Sequence, residues 1–91
     1  MTEAFDEPEV ERTVRSVLSD VLGLDRARVD AFDARTRLFG DMPEFDSMAV
    51  AGVLTELEER LGIVIEDDEV DGELFENFGN LLTFVKAKAL A

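Results

Sequence analysis

Apolar residues along this chain fall into helical spacing in three places and lose it between them. Val10, Val14, Val17 and Val21 recur with Leu18 beside them, while Arg12, Arg15 and Ser19 lie opposite. This predicts an amphipathic helix from about Pro8 to Leu22. Asp6 can cap it, Glu9 completes a capping box, Pro8 suits the first turn, and Gly23 can end it in a left-handed conformation. A second pattern starts at Asp46 or Ser47, either of which can cap it, and stops at Gly62. In projection Val50, Leu54, Leu57 and Leu61 form its apolar stripe, with Val53 at the edge. Its opposite face carries Met48, Gly52, Thr55, Glu56 and Glu59. A third pattern puts Leu81, Leu82, Val85 and Ala89 on one face of a closing helix. Asn80 would cap that helix after a break at Gly79, and Lys86 and Lys88 suit its C-terminal end.

The connections are less regular. Residues 24–46 are long for a loop, and their scattered anchors Leu24, Val29, Phe32, Leu38 and Phe39 predict a segment pinned to the core. A turn of helix is expected near Arg26–Val29. Ile63–Val64–Ile65 is β-branched but has no strand partner, so it reads as an extended connection burying one or two isoleucines. An acidic loop from Glu66 to Gly72 follows, and Glu73–Phe78 reads as a short third helix. The fold class is all-α: a small four-helix bundle of three longer helices and one short one, forming a single domain over residues 1–91.

Composition narrows the chemistry. There is no cysteine, hence no disulfide, thiolate nucleophile or cysteine metal site, and no histidine to act as general base or metal ligand. Nine basic and twenty-two acidic residues give a net charge of −13, which would repel nucleic acid and anionic membranes. No apolar run approaches the roughly 20 residues of a membrane span. Met1 to Pro8 is acidic and lacks the basic start of a signal peptide, so a cytoplasmic location is expected. Strong self-repulsion could keep such a chain unfolded, but the patterned apolar residues, 46% of the total, predict a folded domain of modest stability.

The charge is concentrated. Residues 1–40 hold nine acids and six bases (net −3), whereas residues 41–76 hold thirteen acids and only Arg60 (net −12). A solvated face explains most charge runs, but one segment carrying nearly all the excess also suits a docking surface for basic partners. As a calcium loop the acidic stretch fails. Asp67, Glu69, Asp71 and Gly72 fit early positions of an EF-hand, but Phe78 stands where the bidentate carboxylate belongs. No metal site is expected. Nothing singles out a catalytic carboxylate pair, so the chain does not read as an enzyme.

The informative stretch is Phe45-Asp46-Ser47-Met48-Ala49-Val50. An Asp-Ser pair before an apolar run is ordinarily only a helix cap. The same geometry presents the Ser47 hydroxyl to solvent, where a phosphodiester would face free backbone N–H groups and the positive end of the helix dipole. Here the chain resembles the acyl carrier protein family, in which an Asp-Ser-Leu motif opens the second helix. The motif reads Asp46-Ser47-Met48 in this sequence. The likeness extends through Leu38-Phe39-Gly40, Leu57-Glu58-Glu59-Arg60-Leu61-Gly62, Ile63-Val64-Ile65-Glu66-Asp67-Asp68 and Phe78-Gly79-Asn80-Leu81. Two departures, Glu44 in place of the usual glycine after Pro43 and a longer acidic loop with Gly72, make it similar to specialised stand-alone bacterial carriers. The Gly-Gly-x-Ser of peptidyl carriers is absent.

The resemblance implies a 4′-phosphopantetheine arm on Ser47, next to Asp46, whose terminal thiol holds acyl groups as thioesters. It implies as partners a phosphopantetheinyl transferase (a holo-carrier synthase) and acyl-ligase, ketosynthase or acyltransferase enzymes with basic surfaces. Such a carrier serves fatty-acid, polyketide or related specialised biosynthesis as a monomer. Docking is expected over Met48, Thr55, Glu56 and Glu59, with Asp41 and Glu44 beside the helix start. Acyl cargo is expected to enter between helices, where Val50, Leu54, Leu57 and Leu61 face Val14, Val21 or Val85. The alternative is an acidic helical interaction module that binds divalent ions weakly and carries no prosthetic group.

Overall fold

The computed structural model describes residues 6–90. The reading of the N-terminus therefore lies, for residues 1–5, outside the described residues. Helix α1 spans Glu7–Leu22, α2 Arg26–Asp30, α3 Ser47–Leu61 and α4 Phe78–Ala89, with a single 3₁₀ turn at Asp67–Glu69. The all-α class, the three longer helices and the turn of helix at Arg26 match the sequence expectation. Among the described residues there is no strand, only an isolated bridge between Arg37 and Asn77.

Local chemistry sets the helix ends. The Asp6 carboxylate accepts from the Glu9 N–H at 2.8 Å and Glu9 accepts from the Asp6 N–H at 3.0 Å, so the capping box forms as the spacing predicts. Gly23 and Gly62 end α1 and α3 at φ 69° and 64°, a region that penalises a Cβ. Helix α1 lies at the centre, packed against α2, α3 and α4. It buries Val10, Val14, Val17, Leu18 and Leu22. Arg15, expected on its polar face, is instead largely covered. Its guanidinium donates to the Val29 carbonyl at 2.7 Å and lies 4.6 Å from the centroid of the Phe78 ring, tying α1 to α2 and α4.

The segment after α3 departs most from expectation. The stretch expected as a third helix is a run of turns over residues 72–76, after which Asn77 bridges to Arg37 and Phe78 already belongs to α4. Its backbone groups are engaged by a distant segment: Leu38 and Phe39 donate to the carbonyls of Glu76 and Phe75, and Phe78 and Gly79 donate to those of Thr36 and Ala34. Those long-range bonds leave no i to i+4 ladder. Gly79 does not break a helix and Asn80 does not cap one. Asn77 is the cap, accepting from the Asn80 N–H at 2.7 Å, and Gly79 sits inside α4. A Cβ at Gly79 would lie 2.8 Å from the Ala34 carbonyl oxygen, so glycine is required by close approach. Ile63 and Ile65 are half-buried and Val64 is exposed, as an extended connection would have them.

The buried row of α3 is Val53, Leu57 and Leu61, while Val50 and Leu54 are only half-buried. The expected stripe is thus rotated, with Val53 at its centre and not its edge. Gly52 also faces inward, toward α1: a Cβ there would meet the Val21 side chain at 3.1 Å.

Candidate functional site

Ser47 is the first residue of α3 and is exposed. The Asp46 carboxylate turns along the helix to accept from the Ala49 N–H at 2.9 Å, and the Asp46 carbonyl accepts from Val50. Among the described residues, the N–H groups of Ser47 and Met48 have no protein acceptor. The helix start therefore offers a hydroxyl, two unfilled donors and the positive end of a fifteen-residue helix.

Beside the hydroxyl lies a mostly apolar cleft of about 230 Å³, lined by Phe39, Ser47, Val50, Val70, Asp71, Gly72 and Phe75. One wall is the start of α3. The other is the acidic segment, held by its own side chains: Asp71 accepts from the Glu73 and Leu74 N–H groups, and Glu69 accepts from Glu66. Lys88 of α4 reaches across to Glu69 at 2.7 Å. That ammonium, and then the Glu66 N–H, hold the Glu69 carboxyl below its ordinary range. Among the described residues no cluster of three or more acidic side chains is arranged to hold a metal ion.

The residues expected to dock partners fall into two groups. Met48, 84% exposed, Thr55 and Glu59 form an open ridge along α3 that also includes Ala51, and Asp41 is exposed beside its start. Glu56 and Glu44 are already engaged. Arg60 bonds Glu56 and, across to α1, Asp20, each at 2.9 Å, and these partners raise the Arg60 pKa, Asp20 contributing most. Glu44 pairs with Arg28 of α2 at 3.2 Å. Its carboxyl is held low first by its own backbone N–H and then by that guanidinium.

Sequence reasoning missed Phe39, Val70, Gly72 and Phe75 as cleft residues. Phe39, expected to pin its loop to the core, is 48% exposed; Val70 and Gly72 come from a stretch with no periodic signal, and Phe75 from the stretch whose spacing predicts a helix instead.

Residues 12–85 match the family model described as the phosphopantetheine attachment site. The fold is similar to the solution structure of a holo acyl carrier protein from Nitrosomonas europaea, with 42% sequence identity and a TM-score of 0.76, over 86% of this chain and 92% of that one. No curated protein matches. With most of its length inside the family model and that degree of likeness to a holo carrier, the chain belongs to the acyl carrier protein family, a 4′-phosphopantetheine-bearing carrier and not an enzyme.

Proposed function

We propose that Ser47 is the attachment point of 4′-phosphopantetheine, and that residues 1–91 act as one carrier domain presenting acyl intermediates to enzymes of fatty-acid, polyketide or related specialised biosynthesis. The observation that carries this reading is the exposed Ser47 hydroxyl at the start of α3, on the lip of an apolar cleft. The arm supplies a terminal thiol on which acyl groups are held. This chain's own residues do the rest. The free N–H groups of Ser47 and Met48 lie where a phosphodiester on Ser47 can reach them, and the α3 dipole favours its negative charge. Asp46 fixes the first turn through Ala49 and so fixes the serine.

The first partner is a phosphopantetheinyl transferase, which must approach over Ser47. Acyl-ligase, ketosynthase or acyltransferase enzymes follow over the same face. Met48, Thr55 and Glu59 are the open contacts, with Asp41 beside them, while Glu44 and Glu56 contribute once their arginine pairs yield. The −12 segment steers basic partners toward this face in a salt-sensitive way. Among the described residues no helix is long and apolar enough to cross a membrane. We place the carrier in the cytoplasm and have it act as a monomer.

The test is intact mass after incubation with a phosphopantetheinyl transferase and coenzyme A. The wild type is expected to gain one phosphopantetheine and Ser47→Ala none. Modification persisting in the alanine variant would remove Ser47 from the role.

A further inference from the structure

Three of the nine basic residues of this acidic chain line one cleft on the polar face of α1, away from Ser47. Its lining is Glu9, Arg12, Thr13 and Ser16 of α1, Arg26 of α2 and Arg60 of α3. Arg60 stands at the far end of α3 from Ser47, roughly 20 Å away at 1.5 Å per residue. Two of the guanidiniums are held by carboxylates that are not part of the lining. Arg26 donates through Nε to Asp30 at 3.1 Å and through Nη1 to the Ser16 hydroxyl at 2.9 Å. Arg60 donates through Nε to Glu56 and through Nη2 to Asp20, each at 2.9 Å. Among the described residues, Nη2 of Arg26 and Nη1 of Arg60 keep their donors unfilled, and the exposed Arg12 guanidinium has no acceptor at all.

Acceptors in the cleft are scarce. Glu9 supplies the one carboxylate of the lining, and it accepts from the Asp6 N–H in the capping box. Thr13 spends its hydroxyl proton on the Glu9 carbonyl, while Ser16, having accepted from Arg26, keeps its own proton to donate. The unfilled hydrogen-bonding capacity is therefore donor in kind and comes from three helices. We infer that this cleft is a second ligand site and that it takes a phosphate-bearing anion. A carboxylate has two oxygens and is satisfied by one guanidinium fork. A terminal phosphate has three acceptor oxygens and up to about two negative charges, and so matches forks arriving from α1, α2 and α3. The cleft volume of about 350 Å³, against the roughly 30 Å³ share of a water molecule, leaves room for a diphosphate. The net charge of −13 opposes the approach of any anion, so selection rests on the local donors.

Titration of the full chain with inorganic pyrophosphate, followed by NMR at constant ionic strength, tests this. The side-chain Nε–H signals of Arg12, Arg26 and Arg60 are expected to shift along one saturating curve. Arg35 and Arg37 are the internal control. Both are exposed and without an ion pair among the described residues, but neither lines the cleft, and their signals should not saturate. Arg12→Gln removes a guanidinium and no ion pair, and should weaken the saturating response about tenfold. Arg35→Gln should leave it unchanged. Adenosine 3′,5′-bisphosphate is the second probe. Saturation at a lower concentration than pyrophosphate makes a nucleotide the source of the phosphate, and saturation no earlier makes it the phosphate group itself. Shifts that never saturate with either probe, shifts at Arg35 and Arg37 as large as those in the cleft, or a curve unmoved by Arg12→Gln overturn the inference. Ser47→Ala should bind as the wild type does, so failure of the Ser47 assignment would leave this result untouched.

Discussion

The two walls of the cleft beside Ser47 are built in opposite ways. The α3 wall has an internal hydrogen-bond ladder, an Asp46 cap, a left-handed Gly62 at its end and a buried row packed toward α1. The facing wall, from Glu66 to Phe75, has one 3₁₀ turn, carboxylates folded back on neighbouring N–H groups, and a half-buried Val70. From α4 it is tied by Lys88 to Glu69 and by the Asn80 side chain to the Glu73 carbonyl. A wall of the first kind holds a reactive group in place. A wall of the second kind, made of local and solvent-accessible bonds, opens at lower free energy. Ser47 sits on the firm wall and the cleft beside it is bounded by the soft one.

The sharpest way to break that contrast is to remove packing from each wall in turn. Leu57 is fully buried, so Leu57→Ala is expected to cost about 2–5 kcal/mol, a large share of the stability of so small a domain. Val70 is half-buried, and Val70→Ala should cost about 1 kcal/mol or less. Chemical denaturation of both variants gives the comparison directly. Equal losses would mean that the acidic segment is as much a part of the cooperative core as α3.

A smaller effect is expected at the cap. Asp46→Ala strands the Ala49 N–H and should cost about 1 kcal/mol, which shifts the midpoint of a domain this size by roughly 4–8 °C. Asp46→Asn keeps an acceptor and should melt close to the wild type. If both variants lost the same stability, the carboxylate's charge at the helix start, and not the hydrogen bond, would be what matters.

The contrast also explains what the sequence could reveal. On the α3 side periodicity, cap and terminating glycine are local signals, and they placed the helix and Ser47 correctly. The error there was rotational. Projection alone did not show that Gly52 meets Val21, which turns Val53 inward and leaves Val50 half-exposed toward the cleft. On the other side Glu73, Leu74, Phe75 and Phe78 carry helix-compatible spacing, yet the backbone of Phe75, Glu76, Phe78 and Gly79 is engaged by residues 34–39, about forty positions earlier. Bonds of that range leave no periodic trace, so spacing alone predicts a short helix where the chain forms turns and does not point to Phe39, Gly72 and Phe75 as cleft residues. The docking charges were legible as residue types, but their pairing was not. Arg60 joins α3 to Asp20 of α1 across forty residues.

The smallest effect tests the tie on the soft wall. Glu69→Gln keeps an acceptor for the Glu66 N–H but loses the charge that holds Lys88. Hydrogen-exchange protection of the Val70 amide, which donates to the Asp67 carbonyl, is expected to fall while protection across α1 stays at its wild-type level. Acid should do the same to the wild type. Lys88 first, and Glu66 second, hold the folded-state pKa of Glu69 below its ordinary value. The stabilisation is therefore complete above the unfolded value and is lost as the pH falls through the lowered folded one. Protection at Val70, normalised to the α1 amides, should hold from neutral pH down to the ordinary glutamate range and decline below it. The Glu69→Gln variant should lack that decline, starting from a lower level. A wild type and variant with the same Val70 protection at every pH would mean that the ammonium and carboxylate sit together without restraining the wall.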